Sequence, residues 1–156
     1  MDGTHLHLAI NHIPVVGTGI TLFLFLVGFI KKSDEVIKVS LQLFVLVAIS
    51  AVPTFFSGEA AEEVVEHMPG VLEALIEQHE QAAKVSMILE IAAGILAVLG
   101  LILFRLKRSF PSWLKVLFPL ILILAGGLMA RTANLGGQIR HEEIRPSPPQ
   151  SVFERE

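Results

Sequence analysis

The side chains best suited to chemistry in this 156-residue chain are its six histidines, His5, His7, His12, His67, His79 and His141. Imidazole is costly to bury unpaired, and it is the commonest protein ligand for metals and haem iron. Three of the six lead into an apolar run, in the stretch His5-Leu6-His7-Leu8-Ala9-Ile10-Asn11-His12-Ile13-Pro14. His5 and His12 are seven residues apart and share a face if the helix starts early. His7 is five before His12 and lies on another face. His79 completes an apolar stripe with Leu72, Leu75 and Ile76, which aims it at neighbouring helices. His141 follows Gly126, Ala130, Asn134 and Gln138 along one small or polar face. His67 ends an acidic segment and reads as an exposed group at a helix C-terminus, where its charge suits the dipole. His5 reads as a flanking polar residue. The chain has no cysteine, so disulfides, thiolate metal sites, Cys-ligated iron–sulfur clusters and covalently attached c-type haem are excluded.

One carboxylate joins this set. Glu90 is the only acid well inside an apolar stretch, about 16 Å along a helix axis from His79. An intramembrane carboxylate is by default a functional group with a partner to be named. Glu90 is therefore a candidate proton or polar relay, with Arg131 or a cofactor ligand as its partner. The plainer alternative is a neutral carboxyl hydrogen-bonded to the next helix.

The elements that must position these groups are membrane helices. Hydrophobic residues make up 53% of the chain and charged ones only 17%, against about a quarter charged in soluble domains. Four apolar stretches, at about 13–30, 39–56, 85–104 and 113–130, each approach the roughly 20 residues that cross hydrocarbon. The first has no basic leader and no small-residue cleavage site, so it reads as a retained helix. The expected fold is all-α: a four-helix transmembrane bundle in a single domain over residues 1–145. Residues 146–156 are proline-rich at their start and read as an extended or disordered tail.

Charge orients the bundle. Lys31, Lys32, Lys38, Arg105, Lys107, Arg108 and Lys115 gather in the first and third connections, with only Asp34 and Glu35 to oppose them. The positive-inside rule makes those connections cytoplasmic and puts both termini and the middle connection outside. Every histidine then falls on the outer side. The middle connection carries an acidic helix, 59–68, broken at Pro69-Gly70, and a second helix from Val71 to His79. The expectation is a short amphipathic outer helix pair between spans two and three. Pro53 and Ser57-Gly58 read as the kinked exit of span two and a fresh helix start.

His7-x4-His12-Ile13-Pro14 resembles the His-x4-His-Phe-Pro opening of small prokaryotic four-helix membrane proteins of unknown function. Ser57-Gly58, His79, and Gly136-Gly137 with His141 resemble further features of that group; Ile13 stands where its usual Phe would be. The resemblance implies a prokaryotic cytoplasmic membrane, b-type haem and association with respiratory or redox proteins. Two imidazoles from different helices, with small residues around the ring, would hold such a haem. His12 with His79, or His7 with His141, are the expected opposing ligands for one haem or two, with Arg131 and Arg140 for the propionates. The chain then reads as an electron-transfer subunit rather than a stand-alone enzyme, exchanging electrons with a redox protein, a membrane complex or quinol. The competing classes are a non-haem metal site and a structural subunit. No Glu-x-x-His or His-Glu-x-x-His occurs. The acidic outer face argues against nucleic acid, and the four spans show neither a sequence repeat nor an interrupted helix pair of the transporter kind.

Overall fold

A computed structural model describes residues 3–106 and 110–146. All regular elements among them are helical. Helix α1 is Gly3–Ile10, α2 His12–Ile30, α3 Asp34–Val65, α4 Glu73–Arg105 and α5 Ser112–Arg140, followed by a 3-10 turn, Glu142–Ile144. The α1–α2 unit and the three other long helices are each long and apolar enough to cross a bilayer, the build of a multi-pass membrane protein. Lys107 and Arg108 of the second basic connection, and residues 147–156 of the proposed tail, lie outside the described residues.

The long helices form a square. Each packs on its neighbours in the order α2, α3, α4, α5 and back to α2, while α1 lies on α2 and the far end of α3. The diagonals, α2 with α4 and α3 with α5, are therefore spanned only by side chains. Residues 3 and 146, the first and last described, and the connection 66–72 share one end, here the terminal end; the connection 31–33, the end of α4 and the start of α5 share the other, the basic end.

Short turns fix the basic end. Lys32 takes the left-handed conformation at φ 52. The Ser33 amide then donates to the Gly28 carbonyl at 2.9 Å and the Lys32 amide to Phe29 at 3.2 Å, closing α2. Ser33 caps α3 by accepting from the Val36 amide. Above this turn the core is apolar. Phe25, Phe44, Phe118, Leu41, Leu114 and Leu122 are fully buried, and Phe118 packs against Phe25 at 5.1 Å and Phe44 at 5.7 Å between ring centroids. The large apolar residues left exposed, such as Phe23, Ile49, Ile95 and Leu120, ring the outside where lipid would lie.

The expected outer helix pair is present, but as the ends of longer helices. Segment 59–65 is the last two turns of α3, and residues 73–79 are the first two of α4. No fresh start occurs at Ser57-Gly58. Pro53 removes one ladder donor, but three hydroxyls nearby bond back to the helix: Ser50 to the Val47 carbonyl, Thr54 to Ser50 and Ser57 to Thr54. None of these takes the Ile49 carbonyl that Pro53 leaves free, and the helix nonetheless continues to Val65. The break at Pro69-Gly70 is real, with Gly70 at φ +81.

Candidate functional site

His7 and His79 occupy the interior of the terminal end. They come from α1 and α4, two helices that do not pack on each other. Both are half-buried. Both lie beyond the apolar stretches of their helices, in the extensions toward the terminal end.

Their surroundings repeat. His7 donates through Nδ1 to the Thr54 carbonyl of α3 at 3.1 Å. Its ring lies on Gly58, one turn further along, where an added Cβ would come within 3.2 Å of Cε1. His79 donates through Nδ1 to the Thr132 carbonyl of α5 at 2.9 Å. Its ring lies on Gly136, again one turn on, where a Cβ would come within 3.0 Å of Cε1. At both positions a Cβ would press on the imidazole, which would have to shift to admit it.

These bonds fix the tautomer. A backbone carbonyl only accepts, so Nδ1 carries the proton in both rings. His7 Nδ1 also lies 3.2 Å from Ser57 Oγ, whose own proton goes to the Thr54 carbonyl, so Ser57 is a second acceptor. Burial pushes the pKa of both histidines below the ordinary 6.5. For His79 a charge on His7 works in the same direction, and in each ring the carbonyl bond partly opposes the shift. The neutral rings thus keep a lone pair on Nε2. Neither Nε2 has a hydrogen-bond partner among the described residues. A fixed Nδ1–H with a free Nε2 is the arrangement in which histidine ligates metal.

The polar column continues inward. Thr18 is eleven residues after His7 and Glu90 eleven after His79, three turns along each helix. The Thr18 hydroxyl donates to Glu90 Oε1 at 2.7 Å and bridges the α2–α4 diagonal. Glu90 is fully buried, and its Oε2 has no partner.

The other candidates lie elsewhere. His12 is exposed on α2, and so is not paired with His79 inside the bundle. His141 is exposed and bonded to Glu143 at 2.9 Å; α5 ends at Arg140, and His141 takes an extended conformation that leaves the helix. His12 and His141 are exposed, while His7 and His79 are half-buried at the same end, near enough for a charge on His7 to act on His79. Arg131 is exposed in a cleft between α4 and α5 lined by Gln78, Gln81 and Val85, so it does not meet Glu90. Arg140 reaches Met68 Sδ at 2.7 Å. Among the described residues no three His, Cys, Asp or Glu side chains converge as a metal site.

Arg145 had no role in the sequence reading. It donates to the carbonyls of Gln138, Gly70 and Ile139 at 2.8, 3.0 and 3.1 Å, tying the 66–72 connection to the end of α5. Its place just before Pro146 gave no sign of this. Comparison with known protein families, curated proteins and solved structures finds no match to this chain.

Proposed function

We propose that this chain is a membrane b-type haem protein, an electron-transfer or redox accessory subunit, in which His7 and His79 would hold the haem iron. One observation carries the reading: two neutral imidazoles enter the same end of the bundle from helices that do not pack together, each with Nδ1 fixed on a carbonyl and Nε2 free. The donor set suits haem iron, and Gly58 and Gly136 keep the flanks of the rings flat. Space is the remaining requirement. Two open clefts, of about 240 and 380 Å³, lie beside Arg131 and beside His67 rather than between the rings. A haem between the rings therefore requires the terminal end of the bundle to open. The short α1, which buries none of its residues completely, is the element free to give way. When bound, the haem supplies one-electron chemistry. The protein supplies ligands, a low-polarity wall and Arg131, exposed and without a partner among the described residues, as a cation for a propionate.

The resemblance to small prokaryotic four-helix membrane proteins supports the same reading. It adds a cytoplasmic-membrane location, with the basic end inside by the positive-inside rule and the histidines facing an outer-side donor or quinol. The competing reading is a structural one, in which each imidazole only pins two helices together; the same carbonyl bonds favour it. A reduced-minus-oxidised spectrum of protein purified from haem-replete cells separates the two. The expected result is the alpha band of a b-type haem, lost in His7→Ala and His79→Ala and kept in His12→Ala, His67→Ala and His141→Ala. Colourless, iron-free protein would refute the proposal.

A further inference from the structure

Glu90 is the only ionisable side chain at its depth. On α2 none lies between His12 and Lys31; on α3 none between Lys38 and Glu59. On α4 the nearest are Lys84 and Arg105, and on α5 Lys115 and Arg131. Nothing charged therefore faces the carboxyl from any packed helix. Its single bond, from Thr18, satisfies Oε1 and leaves Oε2 buried and bare. A carboxylate held so, with no counter-charge, is among the costliest groups to bury; a proton on Oε2 removes that cost.

The two directions away from Glu90 differ. Toward the basic end its own helix presents Ala93, Gly94, Ala97 and Gly100, and the neighbours present Phe25, Phe44, Phe118 and Leu122, all apolar; Thr21, one turn beyond Thr18, adds a buried hydroxyl without a partner, and the buried Phe25 follows it one turn on. Toward the terminal end the core is polar. Ser86 lies one turn away on the same face, a separation that one bridging water spans. Ser86 Oγ is 3.1 Å from Thr132 Oγ1. Thr132 gives its only hydroxyl proton to the Leu128 carbonyl, so Ser86 is the donor in that pair and its own lone pairs are free to accept from the Glu90 side. The Thr132 carbonyl holds His79, which is half-buried and is the first group of the series with access to the surroundings.

We propose that Glu90 is a proton-binding site open to the terminal end alone, with Ser86 and Thr132 as the polar steps that lead to it. The site stands whether or not a haem is bound. Exchange is one for one. The O–H bond at Oε2 breaks as its proton passes to a water beside Ser86, and a proton from that side replaces it, so no charge remains in the apolar core. Ser86 is a positioning residue.

The test is infrared spectroscopy of the full chain in phosphatidylcholine vesicles transferred to D2O. A carbonyl band of a protonated carboxyl is expected, absent from Glu90→Gln and shifted in time by deuteration. Carbon-13 labelling of the glutamate carboxyls identifies the same band without any substitution. Ser86→Ala should slow the shift on the order of tenfold. Ser40→Ala, which removes a buried hydroxyl near the basic end bonded only to the Ile37 carbonyl, should leave the rate unchanged. The absence of a protonated-carboxyl band, a band that does not shift, or equal rates in Ser86→Ala and the parent overturns the proposal.

Discussion

Replacing Gly136 by alanine tests the histidine geometry with one methyl group. The new Cβ would stand 3.0 Å from His79 Cε1 and 3.2 Å from Nδ1, inside the roughly 3.5–4.0 Å of comfortable contact. The ring must shift, and the bond it shifts against is the 2.9 Å donation to the Thr132 carbonyl. A hydrogen bond of this kind contributes about 1 kcal/mol net, and a half-buried N–H left without a partner costs about 1–3 kcal/mol. Alanine also gains up to about 1 kcal/mol over glycine in a helix interior, which blurs the single measurement. Gly127 removes that ambiguity, since it lies on the same helix and a Cβ there meets nothing within 4 Å. Gly127→Ala keeps the propensity gain alone. The difference between the two variants should therefore be about 1–3 kcal/mol against Gly136→Ala, read by reversible unfolding in mixed micelles. Gly58→Ala should fall between them, because its Cβ would stand 3.2 Å from His7 Cε1 and 3.5 Å from Nδ1. Equal stability of Gly136→Ala and Gly127→Ala, within about 0.5 kcal/mol, would show that the ring is not held between carbonyl and glycine.

Acid should weaken the bundle through the same rings: with both histidine pKa values lowered by burial, the folded state binds fewer protons than the unfolded one, so stability is complete above the ordinary 6.5 and falls as pH drops from there through the folded values. Unfolding followed from about pH 8 to about pH 5 should show this decline, flattened in His79→Gln; a flat profile in the parent contradicts neutral burial. Arg145→Ala should release the 66–72 connection by removing bonds to Gly70, Gln138 and Ile139, at a cost of about 1–3 kcal/mol of local stability. Amide exchange at Met68 and Val71 is the readout, and unchanged exchange would mean that the arginine carries no load. Lys32→Gly should stabilise the basic end by about 1 kcal/mol, because a lysine at φ 52 pays for a left-handed backbone that glycine adopts freely; no gain would place the strain elsewhere.

The membrane helices were legible from length and apolarity, because hydrocarbon leaves a spanning chain few options. Where α3 ends was not. Pro53 and Ser57-Gly58 are stop signals in water, but here the helix runs through both to Val65. Helical phase explains why His12 is exposed and His7 half-buried. His12 lies closest to its span and so drew attention, yet the inward face of α1 and α2 runs through Thr4, His7, Asn11, Pro14, Thr18, Thr21 and Phe25 at spacings of three and four. The buried members Pro14, Thr18, Thr21 and Phe25 set that phase, and extending it backwards reaches His7 and misses His12. The information was in the sequence, but only once the inward face of span one had been chosen. His141 was lost for a different reason. It fits the inward face of α5 by count, but the helix stops one residue earlier.

The two histidines also expose an order that a search for sequence repeats does not find. Each lies toward the terminal end of the bundle, each is fixed by a carbonyl on a neighbouring helix, and each rests on a glycine one turn beyond that carbonyl. Eleven residues further in, Thr18 and Glu90 close the pattern with one hydrogen bond. The residue types differ, threonine facing glutamate, so the likeness is one of position. It bears on the choice between a clamp and a ligand. Pinning two helices takes one donor, which a serine or asparagine could also supply. Imidazole adds a second nitrogen, and in both positions that nitrogen is free while the first is tied down. A pair of clamps has no use for matched free lone pairs at one end of a bundle, whereas two axial ligands require them. That difference favours the ligand reading, and it makes His7 and His79 the two residues on which the proposed function turns.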